Sequence, residues 1–338
     1  MTRSQWPARN CKDSCSRLVV DVGERTSWIG VDVGGTKVRA GVLDVQGRLS
    51  GWVSYPHRMM SGEFHCIAEA ASQALGIADL TWRNVIGMGV AIAGVVDSSA
   101  GVVVRSGNLG WQELPLEAEL HGRLGVPVVI LNDVSASAVA ELAALPGGSV
   151  SPWLYVSVGT GVAACVILDP VEERLGCVLD IGDTPAPVES WHCQRGEYGG
   201  LESVASGSAI MRAARTRIAA DPSHSLNARV ATITGNDLVD AASQGDPVSL
   251  EVLATAGRVC GRAIASLVNI FTPAGVGLGG GVIAPGSPYV AALIDEAQSA
   301  MIPWKRDRAP FHCARLGEQA GVIGASELAK RRLAGPPA

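Results

Sequence analysis

Several features are missing from this chain of 338 residues, and each absence narrows what it can do. No apolar run approaches the roughly 20 residues that a membrane-crossing helix needs; the longest, at 85–96, is rich in Gly and Ala. No membrane partner is therefore expected. Nor is there a dense Lys/Arg run: 27 basic and 32 acidic residues leave a formal charge of −5, and lysine occurs only at positions 12, 37, 305 and 330. A nucleic-acid backbone would find no basic stripe to follow, so nucleic acid is not expected as a partner. Residues 1–26 lack the continuous apolar core of a secretory signal and read as a disordered leader. The eight cysteines, at 11, 15, 66, 165, 177, 193, 260 and 313, are scattered through a chain too long to need disulfide staples. They read as reduced thiols in a cytoplasmic protein. Cys11 and Cys15 form C-x3-C, but no second ligand pair follows to close a metal site.

What is present is a large reserve of apolar residues, 47% of the chain, enough for two packed domains. The apolar run Trp28-Ile29-Gly30-Val31-Asp32-Val33 ends in glycines and alternation resumes at 37–43, which predicts a hairpin opening an antiparallel or mixed sheet. Helical spacing over 63–77 followed by a buried strand at 85–92 predicts a crossover unit. A second buried strand at 128–131 stops at Asn132-Asp133, where an Ala-rich helix begins. Strand, glycine turn and strand then recur at 154–168, an echo of the opening that suggests a duplicated domain. Residues 179–202 turn irregular and are expected to build a site from loops. Helices are expected near 209–219 and 250–271, a buried strand at 276–278, and a closing helix at 321–333.

Three glycine clusters carry the chemistry. Asp32-Val33-Gly34-Gly35-Thr36-Lys37 places a carboxylate at a strand end beside a turn whose backbone N–H groups can approach an anion without Cβ obstruction. It is not a Walker A loop, because the Gly-Lys-Ser/Thr ending is absent. Gly159-Thr160-Gly161 supplies a second such turn about 125 residues later, with a hydroxyl able to donate to phosphate. Gly279-Gly280-Gly281 offers a third close-approach surface. Gly275, Gly277 and Gly280 also spell G-x-G-x-x-G, a weak dinucleotide signal, since no helix start follows and Pro285 intervenes.

In order and spacing these motifs resemble the ROK family of sugar kinases and transcriptional repressors. The resemblance runs from about Trp28 to Leu333. It adds Gly89-Val90-Ala91-Ile92-Ala93-Gly94, Asn108-Leu109-Gly110-Trp111, Asn132-Asp133 with Glu141, and Leu201-Glu202 with Ala205-Ser206-Gly207 to the three glycine clusters. It implies an α/β, actin-like, ribonuclease-H-like duplicated fold with an interdomain cleft. The domains would comprise 27–136 plus about 326–334, and 137–325, in a protein that commonly forms homodimers. ATP with Mg²⁺ would be held by Asp32, Gly34, Gly35, Thr36, Lys37, Gly159, Thr160, Gly161, Gly279, Gly280 and Gly281, with Asp32 facing the metal or the transferred phosphoryl. Asp133 would be the base that takes the proton of the attacking hydroxyl. Asn108, Asn132 and Glu202 would bind ring hydroxyls, and Gly94 would present backbone to the ring.

The chain departs from that pattern at the family zinc site. Of three cysteines only Cys193 remains, with Arg195 and Gly200 at the other two places, and Asp180-Ile181-Gly182-Asp183 stands where Glu-x-Gly-His is usual. One thiolate cannot close a tetrahedral site, so no zinc is expected, and an Asp183–Arg195 ion pair is the expected replacement. Asp180 and Asp183 also alter the substrate-facing edge, which points away from glucose toward a C7-cyclitol whose exocyclic hydroxyl is phosphorylated, with a hexose as the alternative. About 30 residues ahead of Asp32 are too few for a helix-turn-helix domain, so an enzyme is expected rather than a repressor; retention of Asp133 and both turns speaks against a non-catalytic sensor.

Overall fold

The computed structural model describes residues 25–56, 64–147, 150–168, 178–185 and 200–334. Two five-stranded sheets organise it. The first contains β1 (Ser27–Val33), β2 (Lys37–Asp44), β3 (Leu49–Pro56), then, after α1 (His65–Ile77), β4 (Val85–Ile92). A small antiparallel sheet of β5 (Val95–Asp97), β6 (Val102–Ser106) and β7 (Trp111–Leu114), with α2 (Leu116–Leu124), leads to β8 (Val128–Asn132) and α3 (Asp133–Ala143). The second large sheet is built from β9 (Trp153–Val158), β10 (Val162–Ile167) and β11 (Val178–Leu179). The helices α4 (Glu202–Ala205), α5 (Gly207–Ala219), α6 (Gly235–Ser243) and α7 (Pro247–Phe271) then precede β12 (Gly275–Gly279). α8 (Pro288–Ala300) and α9 (Pro303–Arg306) lead to β13 (Phe311–Cys313), and α10 (Ala320–Ala334) closes the described chain.

The strand orders are β3-β2-β1-β4-β8 and β11-β10-β9-β12-β13. In each sheet a three-stranded antiparallel meander is extended by two parallel strands. The echo read from the sequence is thus a duplication of topology, and the two glycine turns occupy equivalent places, between β1 and β2 and between β9 and β10. The fold is the actin-like pair of α/β domains.

Each sheet buries one face beneath its own helices: Ile29, Val31 and Met88 belong to the core under α1 and α2, and Val156, Ile210 and Val268 to the core under α4–α8. Between the sheets run α3 and α10. Ala138, Val139 and Leu142 of α3 pack with Trp153, Tyr155 and Cys165 on one side and with Ala325 and Leu328 of α10 on the other. α10 lies against the first sheet because Gly30 and Gly89 have no side chains; a methyl group there would collide with the carbonyls of Val322 and Ala325. Among the described residues no helix is long and apolar enough to cross a membrane.

Candidate active site

Strand C-termini from both sheets bring their loops to one cleft. In the first turn the Gly34 N–H donates to the Lys37 carbonyl at 2.9 Å. Gly35 faces Asn108: a methyl group at Gly35 would stand 2.9 Å from Asn108 Cβ, so the loop after β6 packs onto the phosphate turn. In the second turn the Gly159 N–H donates to the Gly161 carbonyl at 2.9 Å. The start of α5 backs it, with the Gly207 N–H donating to the Gly159 carbonyl at 2.8 Å and Ser208 Oγ to the Thr160 carbonyl at 3.0 Å. A 13-residue helix therefore points its electropositive end at this turn. The third cluster closes over the same place. Gly280, at φ 91°, lies on the Val158 carbonyl, and the Val282 N–H donates to that carbonyl at 3.0 Å. Gly159 and Gly281 face open space, where a ligand can reach the backbone.

The carboxylates sit where β1 and β8 end. Asn132 caps α3: its Oδ1 accepts from Val134 N at 2.8 Å and Ser135 N at 3.1 Å. Its Nδ2 donates to the Gly94 carbonyl at 2.9 Å, tying β4 to β8 beyond their last paired residues. Gly94 must be glycine, since it has φ 150° and a side chain would press on Arg105 O and Ser106 Cα. The next residue, Asp133, is thereby fixed in the first turn of α3; Oδ1 accepts from Val134 N at 3.0 Å, and Oδ2 has no hydrogen-bond partner among the described residues. Burial first, and then repulsion from Asp32, push its pKa up to about 7. Asp32 is also raised by burial, against the lowering effect of Arg39, whose Nη1 donates to Asp32 Oδ2 at 3.1 Å. Arg39 Nη2 and Lys37 Nζ both donate to Glu318 Oε1 at 2.9 Å, and these two cations hold the Glu318 carboxyl down at about 2.

Glu202 stands beside the second turn. Its Oε2 accepts from Val162 N at 3.1 Å, and the carboxylate fills the space left by Gly161 and Gly182, so it buttresses the second turn. A cleft of about 590 Å³ is lined by Gly94, Asp97, Asn132, Ser135, Asp180 and Arg332, among others. Asp180 therefore shares a wall with Gly94 and Asn132, whereas Asp183 is exposed outside that lining. Cys193 and Arg195 lie outside the described residues, so the Asp183–Arg195 pair is not placed. Sequence reasoning missed Arg39, although the two hairpin strands put it directly across from Asp32. It also missed Glu318, which is 281 residues from Lys37 and carries no local signal.

The family model described as the ROK family matches residues 28–332. The chain belongs to the ROK family. A glucokinase of Streptomyces coelicolor is 29% identical over 318 residues, covering 89% of this chain and 97% of the relative. The ROK family glucokinase from Streptomyces griseus, solved with glucose and AMPPNP, superposes with a TM-score of 0.75 at 30% identity, covering 90% of this chain and 99% of that one. Repressors are similar as well. A ROK family transcriptional regulator described as a homolog of the E. coli MLC protein has a TM-score of 0.79 at 25% identity, covering 91% of this chain and 78% of its own. This ROK protein thus shares its architecture with sugar kinases and with regulators, and the site itself has to distinguish them.

Proposed function

We propose that this protein is an ATP-dependent kinase that phosphorylates a hydroxyl group on a sugar or sugar-like ring. The observation that carries the reading is Asp133: a carboxylate at a helix start, with one free oxygen and a pKa of about 7, able to take a proton near neutrality. Asn132 fixes the position of this base through the α3 cap and through Gly94, while Asp180 on the same cleft wall offers acceptors for ring hydroxyls.

ATP fits the residues present. Backbone N–H groups of the two glycine turns, the start of α5 and the open faces of Gly159 and Gly281 provide room and polarity for a triphosphate. A divalent cation fits as well, because Asp32 and Asp133 are neighbouring buried carboxylates whose one cationic partner among the described residues is Arg39, on Asp32. Mg²⁺ bound with the nucleotide would be held by Asp32 and would supply charge neutralisation at the phosphates. Lys37 and Thr36, both exposed in the first turn, bind phosphate oxygens, and Asn108 and Glu202, exposed beside the two turns, bind ring hydroxyls.

The glucokinase relatives favour a hexose. A second reading, a C7-cyclitol with an exocyclic hydroxyl, rests on Asp180, a carboxylate in the cleft wall with Gly94 and Asn132, where a matched hydroxyl set discriminates sharply. Incubation with Mg-ATP and a panel of glucose, mannose, N-acetylhexosamines and valiolone- or valienol-type cyclitols, followed by mass spectrometry, decides between them. A gain of one phosphoryl on one ring class, abolished in Asp133→Asn, is the expected result. No transfer to any ring by the wild-type protein would overturn the kinase reading.

A further inference from the structure

A second cavity, of about 390 Å³, opens between the C-terminal end of α3 and the strands β9, β12 and β13. Its origin is the composition of β12, where Gly275, Gly277 and Gly279 leave one face of the strand bare. Trp153 and Tyr155 of β9 lean over the bare strand: a methyl group on Gly277 would stand 2.5 Å from Trp153 Cζ2 and 2.9 Å from Tyr155 Cδ2. His312, in register with Gly277 on β13, reaches across from the other side, with its ring centroid 5.9 Å from that of Trp153. The result is an aromatic-walled chamber rather than a filled core.

Two groups in it lack partners. Trp153 is 1% exposed, yet its Nε1–H has no acceptor, although buried donors are almost always paired. The indole Cε2, bonded to that nitrogen, lies 3.2 Å from where a Gly277 Cβ would be, so the donor edge lies over a residue that lines the chamber. Arg315 also lines the chamber; it is exposed, and its side chain has no carboxylate partner among the described residues. Glu141, the acid in the wall, already accepts from Arg315 N at 2.8 Å and Leu316 N at 2.9 Å, so its two oxygens are engaged.

We propose that this chamber is a second ligand site that takes a small ring compound carrying a phosphate monoester, and that its occupancy is passed to the first glycine turn through residues 314–319. The guanidinium suits a phosphate, the aromatic walls suit the apolar face of a ring, and a chamber of a few hundred cubic ångströms suits a molecule of that size. The link is physical. Leu316 is held by Glu141, and two residues later Glu318 grips Lys37 and Arg39, the latter holding Asp32. Only the choice of a sugar phosphate as the probe rests on the kinase reading.

The probes are glucose 6-phosphate and inorganic phosphate, titrated calorimetrically into the full chain in the absence of nucleotide, so that a protein without kinase activity still answers. Wild type should bind glucose 6-phosphate at least about tenfold more tightly than phosphate; Arg315→Ala should lose about tenfold, Trp153→Phe should lose severalfold, and Arg315→Lys should recover part of the loss. Because Arg315 and Trp153 lie outside the catalytic cleft, product bound there would titrate unchanged in both variants. Equal binding by wild type, Arg315→Ala and Trp153→Phe overturns the site, and phosphate matching glucose 6-phosphate reduces it to an adventitious ion only. For the coupling, Glu318→Gln should keep the calorimetric binding but lose the sensitivity of ATP-analogue affinity to glucose 6-phosphate; undiminished sensitivity in that variant removes the strap from the proposal.

Discussion

Arg39 stands directly across the β1–β2 ladder from Asp32 and donates to it at 3.1 Å, while its other arm reaches Glu318 at 2.9 Å. Its side chain is 17% exposed and that of Asp32 is 15%, so the pair is largely shielded from water. One guanidinium thus joins the strand that carries the first turn to the segment that opens α10. Gly321 makes the junction tight, since a methyl group there would stand 2.8 Å from Asp32 Cγ.

Arg39→Met should leave Asp32 as a shielded carboxylate without a cation. Its proton affinity, already raised by burial, then rises further. A carboxyl raised in the folded state is a burden above its folded pKa and is relieved once it is protonated. The variant should therefore be about 2–4 kcal/mol less stable at pH 8 and markedly closer to wild type at pH 5. Urea unfolding at the two pH values checks this; an equal penalty at both would mean that Arg39 matters through packing alone.

The base itself sets a pH window. Asp133 titrates at about 7 in the folded protein against an ordinary 3.8, so ionising it costs stability as pH rises from about 4 to about 7. Asp133→Asn should be more stable than wild type above pH 7, on the order of a few kcal/mol, and nearly equal to it below pH 4. Phosphoryl transfer by wild type should fall on the acid side of about pH 7, and the variant should lose it by several orders of magnitude. Thermal melts at pH 5 and 8, with rates across the same range, give both readouts. An acid limb centred near pH 4 would place the working proton elsewhere.

How far the sequence foretells this arrangement depends on how local each feature is. Strands β4, β8 and β9 and helices α1 and α7 follow from apolar runs and periodicity, and their ends lie within a few residues of expectation. The glycine turns are legible as glycine pairs at the ends of apolar strands; in the structure Gly34 and Gly159 have room for a methyl group, whereas Gly35, Gly161 and Gly280 meet close neighbours. The small sheet of β5, β6 and β7 escapes notice because strands of three to five residues hold too few alternations to show a period. Gly275 and Gly277 spell a nucleotide fingerprint in the sequence, yet in the structure they are buried strand residues that make room for the rings of Trp153 and Tyr155. Glu318 is illegible for a different reason, since its meeting with Lys37 and Arg39 exists only once α10 has returned to the first sheet. Glu202, expected among the ring-binding groups, also supports the second turn, because Gly161 and Gly182 leave a space that its carboxylate fills.

That packing separates the two glycines of the second turn. Gly159→Ala adds a methyl group to open space and should cost less than about 1 kcal/mol of stability, while obstructing the face offered to phosphate. Gly161→Ala drives its methyl group into the Glu202 carboxylate and should cost about 1–3 kcal/mol. Gly159→Ala is thus expected to weaken nucleotide affinity with little change in melting temperature, and Gly161→Ala to lower both. Melting temperatures with and without an ATP analogue distinguish the two, and identical behaviour would contradict the assignment of Gly159 to the ligand face.

Asn132 joins three elements with one amide, so its two functions can be taken apart. Asn132→Ala removes the α3 cap and leaves the Gly94 carbonyl unpaired, and it should cost about 2–3 kcal/mol, the upper end of cap losses plus one unpaired acceptor. Asn132→Asp keeps an acceptor for Val134 N and Ser135 N but turns the donor to Gly94 into a second acceptor facing a carbonyl. It also sets a carboxylate beside Asp133, which should push the base above about 7 and move the acid limb of phosphoryl transfer to higher pH. The Ala variant, neutral at that position, should lose stability without the shift. An acid limb displaced equally by both substitutions would show that the cap geometry, rather than local charge, governs the proton affinity of Asp133.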